Sequence, residues 1–387
     1  MSISDLSALD FKGILKRVIE ERASLTREEA RAAVAAMLAP ADAAHDSVSD
    51  VEIAALLTAI ATRGETADEL TGFVEAIREL AHPLPLTDEE RETLVDTCGT
   101  GGVRLGTFNI STGAALVAAA AGANVAKHGN RGVTSRCGSA DVLEALGVAV
   151  DLTPDLAVEC LRTTGFMFLF APAMHPAMRR VQPVRKALGF RTIFNLAGPL
   201  TNPAGARAQV MGVFARDRVA LVAAAMAKLG VRRAFVVHGL DGLDELTLAG
   251  ASEVAEVRGL EVANADVQNA DAEGRTAPDL HDGRPGTVRL FQMTPEDAGL
   301  PRSDVREPLG GDAAGNAKIL ESIFKGERGP RRDVVLLNAA AALVASGVAA
   351  DFKEGTVRGA EALDFGAVRA TLEELRAFSK NRVSFKT

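Results

Sequence analysis

Residues 93–131 read TLVDTCGTGGVRLGTFNISTGAALVAAAAGANVAKHGNR, and this stretch decides the fold. Short apolar runs at 93–96 and 124–127 predict strands, and the alanine-rich stretch between them has the length of a helix. The pattern continues in three further apolar runs, at 166–170, 210–214 and 234–238. Strands that alternate with helices in this way are typical of a parallel sheet buried on both faces. We therefore predict an α/β domain with a central, mostly parallel sheet flanked by helices.

The first 82 residues show a helical period instead. Apolar residues at positions 11, 14, 15, 18 and 19 would lie on one face of a helix. Three more helices are predicted from Ser/Thr-x-x-Glu capping boxes, in which hydroxyl and carboxylate satisfy the first-turn amides. These boxes begin at Thr26, Ser49 and Thr66. The segment His82-Pro-Leu-Pro-Leu86 ends this unit, and the proline-bounded stretch 175–203 is predicted to be helical and to pack back onto it.

Composition excludes several classes of protein. The 387 residues suggest two domains, and 47% apolar residues is enough for a sizeable core. With 43 Lys and Arg against 51 Asp and Glu, and with no Trp or Tyr, the chain is a poor candidate for nucleic-acid binding. A small-molecule partner is expected instead.

The cysteines and the apolar segments indicate the compartment. Cys98, Cys137 and Cys160 form neither an even disulfide set nor a CxxC zinc pair, and the N-terminus has no signal-peptide core. The longest apolar run, 113–126, falls short of the ~20 residues that a membrane helix needs. A soluble, reduced, cytoplasmic protein without a membrane partner is predicted.

The strongest local signal is Asp96-Thr-Cys-Gly-Thr-Gly-Gly102, directly after the first predicted strand. Its three glycines let backbone amides approach a ligand closely, and Ser111 and Thr112 follow at the N-terminus of a helix, which favours a phosphate site. The loop is not a Rossmann fingerprint, because Arg104 takes the third glycine position, and no Gly-Lys-Ser/Thr of a Walker A loop follows. A tight strand-to-helix turn is the alternative.

A second loop follows the next strand as Lys127-His-Gly-Asn-Arg131 and then Gly132-Val-Thr-Ser-Arg-Cys-Gly-Ser139. Two cations, a planar amide and several hydroxyls at the carboxyl end of a strand suit a ligand with more than one phosphate. Taken singly, Lys127 and Arg131 could be solvated surface charges.

A third cluster, His238-Gly-Leu-Asp-Gly-Leu-Asp-Glu245, places two carboxylates side by side. Magnesium typically takes one or two carboxylates together with phosphate oxygens. An acidic turn is the alternative, but an acidic pair opposite two phosphate loops would repel the ligand unless a metal lay between them. This favours a magnesium site at Asp244 and Glu245.

The fourth cluster is the arginine-rich stretch 175–185, near the expected hinge between the domains. A guanidinium here could bind a carboxylate through two hydrogen bonds. The cations of this region are Arg179, Arg180, Arg185 and Lys186. Their spacing does not show which one would bind a carboxylate, and all of them could instead form the exposed face of a helix. The histidines at 128, 175 and 238 have neither Ser-His-Asp nor zinc-ligand spacing, so a hydrolase triad is unsupported.

Together these motifs resemble those of the anthranilate phosphoribosyltransferases, which join anthranilate to phosphoribosyl pyrophosphate in tryptophan biosynthesis. The resemblance covers nearly the whole chain through long motifs in the right order: CGTGG, FNIST, KHGNR, CGSADVLEALG, FAPAMHPAMRRVQPVRKALGFRTIFNLAGPLTNP, HGLDGLDE, GGDAAGNA and PRRDVVLLNAAAALV. It implies a small helical domain from residues 1–92 with 176–203, a larger α/β domain from 93–175 with 204–387, and a homodimer paired through the helical part.

Motif by motif, the resemblance also implies site residues. Phosphoribosyl pyrophosphate would contact Gly99, Gly102, Val103, Thr107, Asn109, Ile110, Ser111, Thr112, Lys127, His128, Gly129, Asn130, Arg131, Gly132, Val133, Thr134, Ser135 and Ser139. Magnesium (Mg2+) on the pyrophosphate would be held by Ser111, Asp244 and Glu245. Anthranilate would face Gly99, Asn130 and Arg185, with Arg185 meeting the carboxylate. No acid or base catalyst is implied, because the amine of anthranilate is already uncharged at neutral pH.

The sequence departs from the family pattern at one position of consequence. The family normally has Asp directly after GTGG, where it helps to organise the sugar pyrophosphate and its metal, and here that position is Val103, followed by Arg104. We expect a weaker or altered magnesium dependence, offset in part if Arg104 reaches a phosphate. Restoring the acid by Val103→Asp and titrating magnesium tests this, since identical curves for both forms would remove the idea. Cys137 also replaces a customary Ser, at the cost of one hydroxyl donor.

Two rival interpretations remain at this stage. A pyrimidine nucleoside phosphorylase shares the architecture, but its nucleoside-binding signatures are missing here. A non-catalytic paralogue that binds nucleic acid or a regulatory partner would be expected to lose the metal pair and gain a basic face. This chain keeps Asp244 and Glu245 and is acidic.

Overall fold

The computed structural model describes residues 10–40, 48–101, 106–132, 136–259, 287–304 and 309–383. Its N-terminal part is helical, with α1 Phe11–Glu20, α2 Arg27–Leu38, α3 Asp50–Arg63, α4 Ala67–Glu79 and α5 Asp88–Thr93. The three predicted capping boxes are confirmed at the starts of α2, α3 and α4. The box glutamate of α4, Glu69, is fully buried and also accepts from the backbone N–H of Leu25 at 2.9 Å, so it ties α4 to the loop before α2.

Over the described residues the sheet has seven strands: β1 Leu94–Gly99, β2 Asn124–Gly129, β3 Phe166–Phe170, β4 Ala208–Gly212, β5 Arg233–Gly239, β6 Ser252–Arg258 and β7 Thr287–Met293. Their order is β3-β2-β1-β4-β5-β6-β7. The five strands predicted from the sequence are all present and parallel. The two at the far edge, β6 and β7, are antiparallel. The predicted fold class is confirmed.

Helices cover both faces of the sheet or connect its strands. They are α6 Ile110–Ala120, α7 Ser139–Ala145, α8 Pro154–Thr164, α9 Ala171–Met174, α10 Gln182–Leu188, α11 Ile193–Leu200, α12 Arg218–Lys228, α13 Ala313–Phe324, α14 Pro330–Ser346, α15 Phe352–Asp364 and α16 Ala367–Val383. The described residues also form 3-10 helices at Pro176–Arg180 and Pro295–Ala298. In the described parts of the chain, none of the helices is long and apolar enough to span a bilayer.

The segment 175–203 is helical and contacts the N-terminal helices. The ring of Phe194 in α11 lies edge-on to Phe73 in α4, with ring centroids 5.4 Å apart, and Val184 of α10 belongs to the same buried apolar cluster. The Arg78 guanidinium of α4 donates to the Leu200 carbonyl oxygen at 2.9 Å. The division into 1–92 with 176–203 and 93–175 with 204–387 stays a prediction.

Candidate active site

Four neighbouring parallel strands end in glycine at one edge of the sheet. These are β2 at Gly129, β1 at Gly99, β4 at Gly212 and β5 at Gly239, and Gly99 and Gly212 are register partners. The chain order reverses between β1 and β4, which makes this edge the topological switch point where ligands of open α/β sheets bind. The loops singled out from the sequence all leave this edge.

Gly212 brings the acidic loop against the first glycine loop. A Cβ at position 212 would overlap the Asp244 carbonyl oxygen, and one at Gly99 would lie 3.2 Å from the Asp244 Oδ2. The backbone at Asp244 therefore packs directly against the backbone of Gly212, with no side chain between them. Sequence reasoning missed Gly212, because a glycine at the end of an apolar run carries no signal of what will lie above it.

The adjacent carboxylates Asp244 and Glu245 face the glycine loop and the start of α6. The Asp244 Oδ2 accepts from the Gly101 backbone N–H at 3.0 Å, and the Glu245 Oε1 accepts from the Ser111 backbone N–H at 3.0 Å. The Glu245 Oε2 is buried and has no hydrogen-bond partner in the described part of the chain. Burial raises the pKa of both carboxyl groups, and the neighbouring Asp244 raises that of Glu245 further.

Lys127 is a buried cation and not a solvated surface charge. Its side chain is 1% exposed, and its Nζ donates to the Thr97 carbonyl oxygen and lies 3.4 Å from the Ser111 Oγ. Burial lowers its pKa, while the nearby Asp96 works in the opposite direction. An ammonium group therefore lies directly under the N-terminus of α6.

Asp96 is the buried counter-charge below this cluster. It is fully buried in β1, and its carboxylate accepts hydrogen bonds from the His128 backbone N–H at 3.2 Å and from the Gln209 Nε2 at 3.4 Å. Burial raises its pKa to about 6, and Lys127 opposes this shift. The first glycine loop thus follows a strand in which the Asp96 carboxylate is buried and hydrogen-bonded.

The second loop is held by its own hydrogen bonds. Arg131 is exposed, and its guanidinium pairs with Asp141 at 3.2 Å and with Glu144. These carboxylates, Glu144 first, raise the pKa of Arg131. Ser139 donates through its Oγ to the Asn130 carbonyl oxygen at 3.3 Å, which closes the loop from 130 to 139. In this state the charge of Arg131 is neutralised by two carboxylates of α7.

The acidic loop is braced from below by two residues that sequence reasoning missed. The Asn338 side chain of α14 accepts from the Leu246 backbone N–H at 3.1 Å and donates to the Leu246 carbonyl oxygen at 3.0 Å. The Asp241 Oδ1 accepts from the Leu243 backbone N–H at 3.1 Å. Both fix the backbone on either side of the carboxylate pair; the Asp241 bond is local, two residues along the chain, whereas the Asn338 contact is seen only in the tertiary structure.

Arg185 differs from the other cations of its segment. Arg180 is bound to Asp50, and Arg179 and Lys186 are exposed. Arg185 is more enclosed, and its guanidinium stacks on the Phe194 ring with 5.3 Å between the guanidinium carbon and the ring centroid. Burial lowers its pKa. Among the residues that the structure describes, no carboxylate lies within ion-pair distance of it.

His128 and His175 form a buried pair whose rings are nearly perpendicular, with centroids 5.1 Å apart. Burial lowers the pKa of both, that of His175 to about 4. The Nδ1 of His238 lies 2.8 Å from the Val213 carbonyl oxygen. Over the described residues, no hydrogen bond or ion pair joins these rings to a carboxylate.

The remaining predicted site residues divide into described and undescribed ones. Thr107 forms a bridge with Leu309, Ile110 is buried, and the Thr112 Oγ1 is buried without a partner among the described residues. Gly129 and Gly132 lie in the second loop. Five predicted contacts fall outside the described residues: Gly102, Val103, Val133, Thr134 and Ser135. The Val103 departure therefore stays a prediction from the sequence.

Two cavities differ in their relation to this edge. A small one of about 10 Å³ is lined by Thr97, Ser111, Glu245 and neighbouring residues, beside the unpartnered Glu245 Oε2. A larger one of about 460 Å³ lies between α13 and α16, around Phe324 and Arg369, and is lined by none of the predicted site residues. Predicted site residues therefore line the small cavity and not the large one.

A helical unit joined to an α/β sheet with two glycine-rich loops and an acidic pair defines a class of glycosyl transferases. Residues 12–81 match the family model described as "Glycosyl transferase family, helical bundle domain". Residues 91–274 and 271–369 match the one described as "Glycosyl transferase family, a/b domain".

Curated relatives narrow this class. The anthranilate phosphoribosyltransferase of Solibacter usitatus is 46% identical over 368 residues, covering 95% of this chain and 98% of the relative. That of Moorella thermoacetica is 47% identical over 327 residues, covering 84% and 88%. The chain belongs to the anthranilate phosphoribosyltransferase family.

Solved structures agree with this assignment. The crystal structure of the Thermus thermophilus anthranilate phosphoribosyltransferase has a TM-score of 0.81 and 40% identity, and covers 96% of this chain and all of that one. The Saccharomyces cerevisiae enzyme in complex with PRPP and Mg, at 24% identity and a TM-score of 0.79, shares the fold over 97% of this chain and 99% of that one.

Proposed function

We propose that this protein transfers the phosphoribosyl group from phosphoribosyl pyrophosphate to the amine of anthranilate, giving N-(5-phosphoribosyl)anthranilate and pyrophosphate, in tryptophan biosynthesis. One observation carries the proposal: two adjacent carboxylates, one with an unpartnered buried oxygen, face a glycine loop and a helix N-terminus at the switch point of the sheet. That arrangement suits a polyphosphate ligand that brings a divalent cation.

The donor would bind along the carboxyl ends of β1 and β2. The Ser111 hydroxyl at the start of α6 would reach phosphate oxygens, and the buried ammonium of Lys127 adds positive charge beneath it. The backbone amides of Gly101 and Ser111 now donate to the acidic pair, so they would reach phosphate only after those carboxylates turn away. The second loop, from Lys127 to Ser139, would cover the sugar phosphate. For Arg131 to bind a phosphate, its pairing with Asp141 and Glu144 must open.

The residues present fit magnesium. Ser111, Asp244 and Glu245 offer hard oxygen donors, and the unpartnered Glu245 Oε2 is available to a cation. Magnesium typically takes one or two protein carboxylates and completes its shell with phosphate oxygens and waters. When bound, magnesium supplies charge neutralisation of the departing pyrophosphate.

The acceptor would lie between the sheet edge and α10 and α11. Arg185 has a guanidinium that stacks on Phe194 and has no acidic partner among the described residues, which suits the anthranilate carboxylate. Gly99 and Asn130 would face the ring. Since the amine needs no deprotonation, rate enhancement comes from positioning and from stabilising the negative charge on pyrophosphate. Closure of the helical part over the sheet edge would exclude water, which competes for the sugar.

Arg185→Ala is expected to raise the KM for anthranilate about tenfold to a hundredfold, because a charge-assisted bidentate hydrogen bond is lost. The KM for phosphoribosyl pyrophosphate should change less than threefold. The exposed neighbour Lys186→Ala is the matched control and should leave both values as in the parent. Equal effects of Arg185→Ala on both substrates would remove the assignment of Arg185.

The proposed activity is tested by mixing the protein with anthranilate, phosphoribosyl pyrophosphate and magnesium and following the loss of anthranilate fluorescence. The absence of Trp and Tyr keeps the protein background low. Turnover that requires all three components supports the proposal, and no loss of fluorescence with folded protein contradicts it. Phosphorolysis of a pyrimidine nucleoside by the same sample would favour the nucleoside phosphorylase, and retention on heparin at moderate salt would favour a nucleic-acid-binding paralogue.

We further propose a cytoplasmic homodimer paired through the helical part. The exposed apolar side chains of Ile19 and Val51, 51% and 78% exposed, lie on this part and support an interface there. Sedimentation velocity at micromolar concentration tests the dimer, and a single monomeric species would contradict it.

A further inference from the structure

The GGDAAGNA motif at 310–317 is the one long motif that the proposed function leaves without a role. It begins α13, and Gly310 lies so close to Phe108 that a Cβ there would be 2.5 Å from the Phe108 backbone. The Gly310 backbone N–H donates to the Gly106 carbonyl oxygen at 2.9 Å. The motif is therefore packed directly against the FNIST segment that starts α6.

Asn316 is the polar centre of this contact. It lies in the first turn of α13 and is 1% exposed, although asparagine is a poor residue for a helix interior and is costly to bury unpaired. Its Oδ1 accepts from the Gly311 backbone N–H at 2.7 Å, and its Nδ2 donates to the Asn109 Oδ1 at 2.9 Å. Both ends of the amide are thus used.

Asn109 passes this constraint on to the second loop. As the N-cap residue of α6 it makes no side-chain capping bond to its own helix. Instead its Nδ2 donates to the Cys137 carbonyl oxygen at 3.3 Å, and its Oδ1 accepts from the Cys137 thiol at 3.1 Å. The amide of Asn109 therefore bridges the start of α6 to the loop that leads into α7.

We propose that Asn316 is a positioning residue for the sugar-pyrophosphate site: together with Asn109 it fixes the N-terminus of α6 relative to the loop at Cys137, whose thiol it also reaches. The two donor-binding loops belong to different strand-loop-helix units, and Asn316 reaches them from a third. Its orientation is set by the Gly311 bond, so the Asn109 amide cannot turn without placing two acceptors or two donors together. This inference rests on the proposed function, because it names what holds that site.

Asn316→Ser separates the positioning role from helix stability. The serine hydroxyl can still hydrogen-bond within the first turn of α13, but it is too short to reach Asn109. We expect the KM for phosphoribosyl pyrophosphate to rise about tenfold or more, since a buried hydrogen bond that orients the site is lost. The KM for anthranilate should stay within twofold of the parent value.

A double-mutant cycle shows whether Asn316 acts together with Asn109. If the two amides act as one unit, Asn316→Ser combined with Asn109→Ala lowers kcat/KM for phosphoribosyl pyrophosphate by clearly less than the product of the two single losses. Independent structural roles would instead multiply the two losses, and that outcome overturns the proposal. Cys137→Ser, added to Asn316→Ser, tests for rescue. A hydroxyl donates a stronger hydrogen bond than a thiol, so the added serine should restore part of the affinity for phosphoribosyl pyrophosphate.

Ser379→Ala is the control for simple loss of a buried polar side chain. Ser379 is 7% exposed and accepts from the Ala149 backbone N–H at 2.8 Å, and its bond ties α16 to the segment after α7. The Ser379→Ala substitution should lower the melting temperature without changing the KM for either substrate. An Asn316→Ser variant that only loses thermal stability in the same way contradicts the proposal.

The result is distinguishable from failure of the proposed function. If the parent protein shows no transferase turnover, calorimetry with phosphoribosyl pyrophosphate and magnesium still compares donor binding by the parent and by Asn316→Ser. Tenfold weaker binding by the variant supports the role of Asn316 whatever the acceptor, and equal binding overturns it.

Discussion

Replacing Asp244 and Glu245 together by alanine is expected to lower kcat by about a thousandfold or more, because the pyrophosphate would then depart without a bound cation to neutralise it. The rate that remains should no longer respond to magnesium. Initial rates of anthranilate fluorescence loss across a magnesium titration measure both effects. A variant that keeps a magnesium response within tenfold of the parent rate would contradict the assignment of this pair.

The double variant should remain folded. Burial raises the folded-state pKa of both carboxyl groups, so their ionisation opposes folding once the pH exceeds their unfolded pKa values. Removing the two carboxylates therefore removes the free-energy cost of burying their charges at neutral pH. This gain offsets the loss of the two hydrogen bonds that they accept from the backbone. Asp88→Ala with Glu89→Ala, an adjacent and exposed acidic pair in α5, makes the same charge change and should leave turnover unaltered.

Gly212→Ala is the second substitution for which we expect a large effect. The new Cβ would overlap the Asp244 carbonyl oxygen, which is backbone and cannot rotate away. The acidic loop must move, and a shift of about 1 Å in a positioned group can cost roughly a hundredfold in rate. We expect a raised half-saturating magnesium concentration together with at least that loss of kcat/KM.

The control for this change is Gly250→Ala. Gly250 lies in the same loop region, has no atom within 4 Å of a built Cβ, and keeps a backbone conformation open to alanine. It should behave as the parent in both rate and magnesium response. If Gly212→Ala matched Gly250→Ala, the close packing of the acidic loop on β4 would have no functional importance.

Much of the fold follows from the sequence because its signals are local. The capping boxes and the apolar runs of β1 to β5 act within a few residues, and both predictions are confirmed. The sequence reasoning did not find β6 and β7. These strands carry charges such as Glu256 and Arg289, which pair with each other at 3.0 Å across the edge of the sheet, so no continuous apolar run marks them.

The site was predicted in outline for a different reason. Strand ends that carry glycine, acid or cation can be recognised one at a time, and parallel topology brings them to one edge. What could not be predicted depends on contacts between segments that are distant in the sequence. Gly212 beneath Asp244, Asn316 against Asn109, and Lys127 inside the protein are visible only once distant segments meet.

The glycines that end β1, β2, β4 and β5 also limit how this protein can diverge. A side chain at Gly129 would overlap Ser139, one at Gly212 would overlap Asp244, and one at Gly239 would meet the Asp241 carboxylate at 2.5 Å. The constraint is strictest at Gly212, where the neighbouring atom is backbone; at Gly129 and Gly239 the nearest atoms belong to side chains, which can turn. New acceptor preferences in descendants of this sequence should therefore arise more readily on the opposite wall, at the Arg185 side chain, than at Gly212. Phe194, on which Arg185 lies, is part of the buried core and would be costly to exchange.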